Sequence, residues 1–80
     1  MQITAHVRIS NATFEEWAAF FESYYEDRVK YIKSETVIKV SNNSAEVKFE
    51  VSDLDGLIAL SSREDILARE AELGVSIHLV

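Results

Sequence analysis

The sequence predicts an α+β domain in which four strands and two helices follow one another in the order β-α-β-β-α-β. Three segments alternate apolar and polar residues with a period of two, which is typical of strands with one buried side. Two other segments place their apolar residues on one side of a helical wheel and begin at residues that cap helices. These helical segments separate the first strand from the second and the third from the fourth.

Length and composition limit the classes of protein that remain. The 80 residues are 48% hydrophobic and 28% charged, the balance of a single soluble domain spanning residues 1–80. The absence of Cys excludes disulfides, thiolate nucleophiles and Cys-based metal sites. The net charge of −6, with scattered cations, argues against nucleic-acid binding. Without a signal-like segment or a run of about 18 apolar residues, we expect a cytoplasmic protein that does not bind a membrane.

The first strand is predicted over Gln2–Ile9, with Ile3, Ala5, Val7 and Ile9 on one side. Thr13 and Glu16 have the capping-box spacing, so a helix begins there. Its apolar stripe consists of Phe14, Trp17, Ala18, Phe21, Tyr25 and Arg28. Phe20 lies away from the centre of this stripe, and we interpret it as a lone exposed aromatic, the alternative being a contact with another chain.

Residues 31–40 are rich in β-branched and aromatic side chains and predict the second strand, although its register is not evident. The run 41–44 (Ser-Asn-Asn-Ser) predicts a hairpin turn, because Asn tolerates the left-handed conformations that tight hairpins use. Residues 45–51 alternate strictly, and they are the clearest strand in the sequence.

The second helix is predicted in two segments. Ser52 and Asp53 can cap the first segment, which Gly56 weakens internally. Ser61 or Ser62 can cap the second, three residues before Glu64 or Asp65, and Gly74 ends it. Residues 75–80 form the last strand, with Val75, Ile77 and Leu79 facing inwards.

Right-handed crossovers arrange this order of elements as a ferredoxin-like fold with an antiparallel sheet of order 4-1-3-2. Both helices then cover one face of the sheet. The opposite face is polar and carries Thr4, His6, Arg8, Glu46, Lys48, Glu50, Ser76 and His78.

Four local segments, spread over nearly the whole chain, resemble the small dimeric α+β barrel proteins. These segments are His6-Val7-Arg8-Ile9, Phe14-Glu15-Glu16-Trp17 with Phe21 and Arg28 following, Phe49-Glu50-Val51-Ser52-Asp53-Leu54-Asp55, and Ala71-Glu72-Leu73-Gly74-Val75. That group includes cyclase-like, muconolactone-isomerase-like and antibiotic-biosynthesis-monooxygenase-like proteins. The resemblance implies a homodimer whose sheets pack face to face, and a small-molecule cavity between sheet and helices in each subunit. The sequence departs from the group in the charge of the sheet face that would meet the partner.

Trp17, Tyr24 and Arg28 are the first candidate ligand-binding residues, because their spacing aligns them along one edge of the first helix. An Arg beside two aromatic rings could orient an anionic or enolic ligand. Alternatively, the three residues are core aromatics and a guanidinium that reaches an acidic neighbour such as Asp27 or Glu64. Tyr25 and Tyr31 are further candidates for the lining.

His6 and His78 are the second candidate pair, because the strand order places them on neighbouring strands and on one face. With a carboxylate of the next strand, Glu46 or Glu50, they could hold Zn or Fe, or they could form a polar cross-strand ladder, which we favour. We therefore expect no metal and no cofactor. At a dimer interface they could act as pH-sensitive groups.

Together with what the resemblance implies, these observations favour a homodimeric small-molecule-binding protein of the dimeric α+β barrel type. One alternative is a cofactor-independent monooxygenase or an isomerase or cyclase that acts on a small aromatic or enolic compound, with Tyr24 and Arg28 polarising the substrate and Trp17 shaping the pocket. Another is a non-enzymatic interaction module that uses the charged sheet face. A cavity of at least about 300 Å³ lined by Trp17 and Arg28 would favour the first two hypotheses over the third.

Overall fold

The computed structural model describes residues 1–80 and contains one four-stranded sheet with the helices on one of its faces. The elements are β1 (Gln2–Ile9), α1 (Phe14–Ser23), α2 (Tyr25–Arg28), β2 (Ile32–Ser41), β3 (Ser44–Val51), α3 (Leu54–Ser61), α4 (Glu64–Leu73) and β4 (Val75–Leu79). The strand order is β2-β3-β1-β4, with every pair antiparallel. This is the order 4-1-3-2 counted from the other edge, so the predicted ferredoxin-like α+β fold is confirmed.

Cross-strand register aligns the apolar positions of the inner strands. Ile3 lies opposite Phe49, and Ala5 lies opposite Val47. On the other side of β1, Val7 lies opposite Ile77 and Ala5 opposite Leu79. Because side chains alternate between faces, these residues all point towards the helices.

An extra residue in β2 determines which of its side chains face the helices. Val51 pairs with Ile32, and Glu50, the residue before Val51, pairs with Ser34. Lys33 therefore has no partner and forms a bulge. The bulge shifts the alternation by one position and places Glu35 opposite Phe49, on the helix face. Ile38, opposite Glu46, consequently lies on the outer face; Val40, at a second register shift, also lines that face, and both are exposed.

The first helical region begins as predicted but is interrupted. The Thr13 Oγ1 atom accepts a hydrogen bond from the Glu16 amide at 3.2 Å, which caps α1. Tyr24 leaves the helical conformation at φ −120°, ψ 26°, and α2 starts after it. Tyr25, expected on the apolar stripe, is therefore exposed, whereas Tyr24 is partly buried. Phe20 was expected to be a lone exposed aromatic; instead it is partly buried and lies 5.3 Å from the Tyr24 ring.

The hairpin between β2 and β3 turns at residues 42–43 as predicted, but not through left-handed Asn residues. No residue other than glycine has a positive φ. The turn is held by the Ser41 and Ser44 hydroxyls, whose oxygens are 2.6 Å apart. Its Asn43 carbonyl accepts a hydrogen bond from the Ile9 amide at 2.8 Å, which fixes the hairpin against the end of β1.

The second helical region is divided as the sequence predicts, although its capping differs. The Asp53 carboxylate accepts a hydrogen bond from the Gly56 amide at 3.0 Å and caps α3. Neither Ser61 nor Ser62 caps α4; their hydroxyls instead donate back to the Leu57 and Ile58 carbonyls. The residue that precedes α4 is Arg63, whose side chain makes no capping bond.

Gly74 ends α4 in the left-handed conformation, with φ 69°, as the sequence predicts. Its hydrogen atom is required for space as well as for backbone conformation, because a Cβ atom there would lie 2.1 Å from the Ser10 hydroxyl oxygen. The turn into β4 therefore tolerates no larger residue.

The buried apolar side chains form two clusters. Val7, Ile9, Trp17, Ala45 and Val47 make the first cluster. Ile32, Val51 and Leu57 make the second. Phe49 packs against both and joins them. No helix combines the length and the hydrophobicity that a bilayer crossing requires.

Candidate ligand cavity

A cavity of about 630 Å³ lies between the sheet and the helices. Its lining is mostly apolar and includes Trp17, Phe21, Tyr24, Phe49, Leu57 and Leu67. Cavities that bind small molecules in proteins span about 300–1,000 Å³, so the volume suits a ligand of several rings. The candidate residues Trp17, Tyr24 and Arg28 all line it.

The cavity opens to solvent between α3, α4 and β4. Ile58, Leu67, Ile77 and Leu79 line it, and each has half or more of its surface exposed. Ile77 and Leu79 point towards the helices, as the alternation in the sequence predicts, but no helix covers them. A ligand could therefore bury apolar side chains that the chain itself leaves exposed.

An aromatic stack forms the wall on the α1 side. The Trp17 and Phe21 rings are 4.9 Å apart and nearly parallel at 19°. The Phe21 ring meets the Tyr24 ring edge-on, at 82° and 5.8 Å. Such contacts restrict ring rotation, so this wall presents a defined surface to a ligand.

Arg28 is held at the wall by the protein's own groups. Its Nη1 atom donates to the Phe21 carbonyl at 2.8 Å, and its Nε and Nη2 atoms donate to the two carboxylate oxygens of Glu35, the latter at 3.1 Å. Its Cζ atom lies 3.6 Å from the Phe21 ring centroid. The acidic neighbours expected from the sequence, Asp27 and Glu64, do not pair with it. The bulge in β2 places Glu35 there instead.

Two further polar groups line the cavity. Burial raises the pKa of Tyr24 to about 12, and the nearby Arg28 charge only partly opposes this effect. The Tyr24 hydroxyl is therefore protonated at neutral pH. Burial also raises the pKa of Glu70, a half-buried residue of α4.

Glu70 was missed by the sequence interpretation, although a signal was present. It falls at i+4 from Ile66 and three residues before Leu73, so it lies on the buried stripe of α4. A carboxylate on an apolar stripe is unusual, because burying a charge without a partner is unfavourable. Glu70 makes no side-chain hydrogen bond and no ion pair.

His6 and His78 lie away from this cavity, on the opposite face of the sheet. They are directly opposite each other on β1 and β4, and they line an open groove of about 660 Å³ with Glu46 and Val40. The His6 Nε2 atom is 3.6 Å from a Glu46 carboxylate oxygen. No group of three His, Asp or Glu side chains here is arranged to hold a metal ion. The five candidate residues therefore belong to two separate places.

The chain resembles solved structures in fold. No protein-family model matches it, and no curated protein matches it in sequence. The crystal structure of SnoaB, a cofactor-independent oxygenase from Streptomyces nogalater, is similar with a TM-score of 0.66 and 13% identity, covering 99% of this chain and 88% of that one. A mutant of the same oxygenase gives a TM-score of 0.62 at the same identity and coverage. At 13% identity the likeness shows a shared fold.

Proposed function

We propose that this protein binds a small, uncharged, mainly aromatic molecule in the cavity between its sheet and its helices. The observation that carries the proposal is the combination of a volume near 630 Å³ with a mostly apolar lining in a chain of 80 residues. A domain of this size has little core to spare, so apolar side chains left exposed around an open cavity suit a ligand better than they suit stability. A pure interaction module would not require it.

The lining supports an aromatic ligand in particular. The half-exposed side chains at the opening of the cavity, such as Leu67 and Leu79, offer apolar area to a flat ring, and burial of that area contributes about 25 cal/mol per Å². Arg28 is not available to neutralise an anion, because Glu35 already occupies its Nε and Nη2 atoms. We therefore assign Arg28 to holding the wall, whereas the sequence alone left open whether it orients an anionic or enolic ligand or pairs with an acidic neighbour.

A neutral fluorescent probe tests the proposal. N-phenyl-1-naphthylamine, whose emission rises in apolar surroundings, should bind at one site per chain with micromolar affinity. Leu67→Trp places a larger side chain in the lining of the cavity and should weaken binding at least about tenfold. Val40→Trp, on the opposite face of the sheet, is the matched control and should not alter it. Equal binding by both variants would contradict the proposal.

Cofactor-independent oxygenation is the second candidate function, and the fold shared with SnoaB favours it. In such a reaction a CH₂ group of an enolisable aromatic substrate becomes C=O. One oxygen atom of O₂ enters the product and the other leaves as water, so the substrate supplies all the electrons. Trp17 would shape the pocket, and Tyr24, protonated at neutral pH, would donate a hydrogen bond to the enolate oxygen. An isomerase or cyclase could use the same contacts.

Oxygen consumption separates the enzyme from the simple binding protein. An anthrone-type substrate should consume one O₂ per molecule if the enzyme hypothesis is correct. Tyr24→Phe should then lower kcat by about ten- to a hundredfold while leaving binding of N-phenyl-1-naphthylamine unchanged. Binding of the substrate without oxygen uptake would support the simple binding protein. It would exclude this oxygenation.

We also propose a homodimer in which the outer faces of two sheets meet. Ile38 and Val40 support this dimer, because both are exposed aliphatic residues on that face. Irregular register in β2 turns them outwards. The Lys48 ammonium lies 3.6 Å from a Glu46 carboxylate oxygen, so the charges of that face are partly paired within the chain. Sedimentation velocity should give twice the 9.1 kDa chain mass, and Ile38→Asp should shift it to the monomer. A monomeric wild-type protein would contradict this arrangement.

A further inference from the structure

We propose that Glu70 selects the ligand of the cavity: it accepts a hydrogen bond from a neutral aromatic hydroxyl, such as a phenol or an enol, and excludes aromatic carboxylates. This inference rests on the proposed binding function and adds the chemical class of the ligand. It stands on the position of Glu70 in the cavity and on the pairing of the charged groups around it.

Glu70 is an acidic group of the lining without a cation to neutralise it. The neighbouring Arg69 pairs with Glu72 at 2.8 Å. Arg63, at the junction between α3 and α4, pairs with Asp27 and Asp65. Neither cation reaches Glu70, so its carboxylate depends on solvent or on a ligand for hydrogen bonds.

The charge balance of the cavity follows from these pairs. Arg28 and Glu35 neutralise each other, and the Tyr24 hydroxyl is protonated. Glu70 therefore leaves the lining with one net negative charge. A carboxylate brought into this partly desolvated space would face that charge without compensation, and repulsion there is stronger than in bulk water.

A hydroxyl donor has the opposite effect. Partial burial in an apolar lining deprives the Glu70 carboxylate of water, and the upward direction of its pKa agrees with this loss. A ligand O–H group restores one hydrogen bond to an ionised acceptor, which is the stronger class of hydrogen bond. The aromatic body of such a ligand would lie against the exposed apolar part of the lining, which includes Leu67 and Leu79.

Competition against bound N-phenyl-1-naphthylamine tests this selection. The competitors are 2-naphthol, 2-naphthoate and naphthalene, compared near pH 7, where the naphthol is neutral and the naphthoate is ionised. For the wild-type protein we expect 2-naphthol to bind about tenfold more tightly than 2-naphthoate, and more tightly than naphthalene. Glu70→Gln should reduce the ratio of naphthol to naphthoate affinity to less than about threefold, and Glu70→Leu should abolish the advantage of 2-naphthol over naphthalene.

Glu72→Gln is the matched control, because it removes a carboxylate from the same helix outside the cavity lining, and it should keep the wild-type ratio. A ratio that is unchanged in Glu70→Gln overturns the role of Glu70. If N-phenyl-1-naphthylamine and naphthalene still bind in that case, the cavity proposal stands and only the selection fails. If neither compound binds the wild-type protein, both proposals are wrong.

Discussion

Arg28 and Glu35 form the one ion pair of this protein in which both side chains are largely buried, at 2% and 12% exposed. The pair connects α2 to β2, and the same guanidinium donates to the Phe21 carbonyl of α1. It therefore fixes three elements at the wall of the cavity. A buried pair of this kind contributes to a specific geometry more than to net stability, because both charges lose water.

Removal of one partner should destabilise the protein strongly. Arg28→Leu leaves the Glu35 carboxylate buried without a counterion, and we expect it to lower the free energy of unfolding by about 3–5 kcal/mol. Urea unfolding followed by Trp17 fluorescence measures this change. Arg63→Leu, which removes an exposed guanidinium, serves as the control and should have a much smaller effect.

The double variant Arg28→Leu/Glu35→Leu should recover most of the stability lost in Arg28→Leu, since no unpaired charge remains. A double variant that is destabilised by the full sum of the two single changes would contradict this account. If the double variant recovers stability but binds N-phenyl-1-naphthylamine more weakly, the ion pair shapes the cavity wall and contributes little to the free energy of unfolding.

Tyr24 should remain protonated well above pH 10. Its folded-state pKa of about 12 exceeds the value near 10 of an unfolded chain, so the unfolded state releases this proton first. The stability that this group contributes is complete below about pH 10 and is lost as the pH rises towards 12. Ultraviolet titration of phenolate absorbance should show one late-titrating tyrosine that disappears in Tyr24→Phe. Tyr25→Phe, at an exposed position, should retain it.

Gly56→Ala should destabilise the protein, although Ala is the better helix former by about 1 kcal/mol. A Cβ atom at this position of α3 would lie 2.4 Å from the Tyr31 ring, so the ring must move. We expect a net loss of about 1–3 kcal/mol in the free energy of unfolding. In a Tyr31→Ala background the loss should shrink, because only the approach of the Cβ atom to the Asp53 carboxylate oxygen at 2.8 Å remains, and thermal unfolding of the four proteins measures the difference. Destabilisation of equal size in both backgrounds would exclude the Tyr31 contact as its cause.

Glu70→Gln should stabilise the protein at neutral pH. The folded-state pKa of Glu70 lies above its unfolded value. Its ionisation therefore opposes folding once the pH exceeds the pKa of an ordinary Glu. The gain should stay below about 1 kcal/mol, because the group is partly solvated, and it should vanish near pH 3, where both states are protonated. Unfolding midpoints at the two pH values measure it. A gain that is equal at both pH values would contradict the role of the charge.

The sequence predicts most of the fold because its signals are local. Alternation in β1 and β3, the cap at Thr13 and the stop at Gly74 depend only on neighbouring residues, and the structure confirms them. The back-bonding of Ser61 and Ser62 competes with capping, and no Gly or Pro marks the break at Tyr24. Sequence spacing does not rank such alternatives.

The partner of Arg28 was not predictable because it depends on register between distant strands. Without the bulge, strict alternation from Ile32 on the inner face would turn Ile38 and Val40 inwards. It would turn Glu35 outwards. The apolar residues of β2 would by themselves favour that arrangement. The ion pair with Arg28 and the pairing with β3 favour the observed one, and both are tertiary effects.

The bulge at Lys33 also has a consequence for how this protein can diverge. Insertions and deletions usually accumulate in loops, where one residue more or less changes little. Here the loss of the Lys33 codon would turn Glu35 outwards and Ile38 and Val40 inwards. The buried Arg28 guanidinium would then lack its counterion. Descendants of this gene can therefore exchange side chains along β2 more readily than they can change its length.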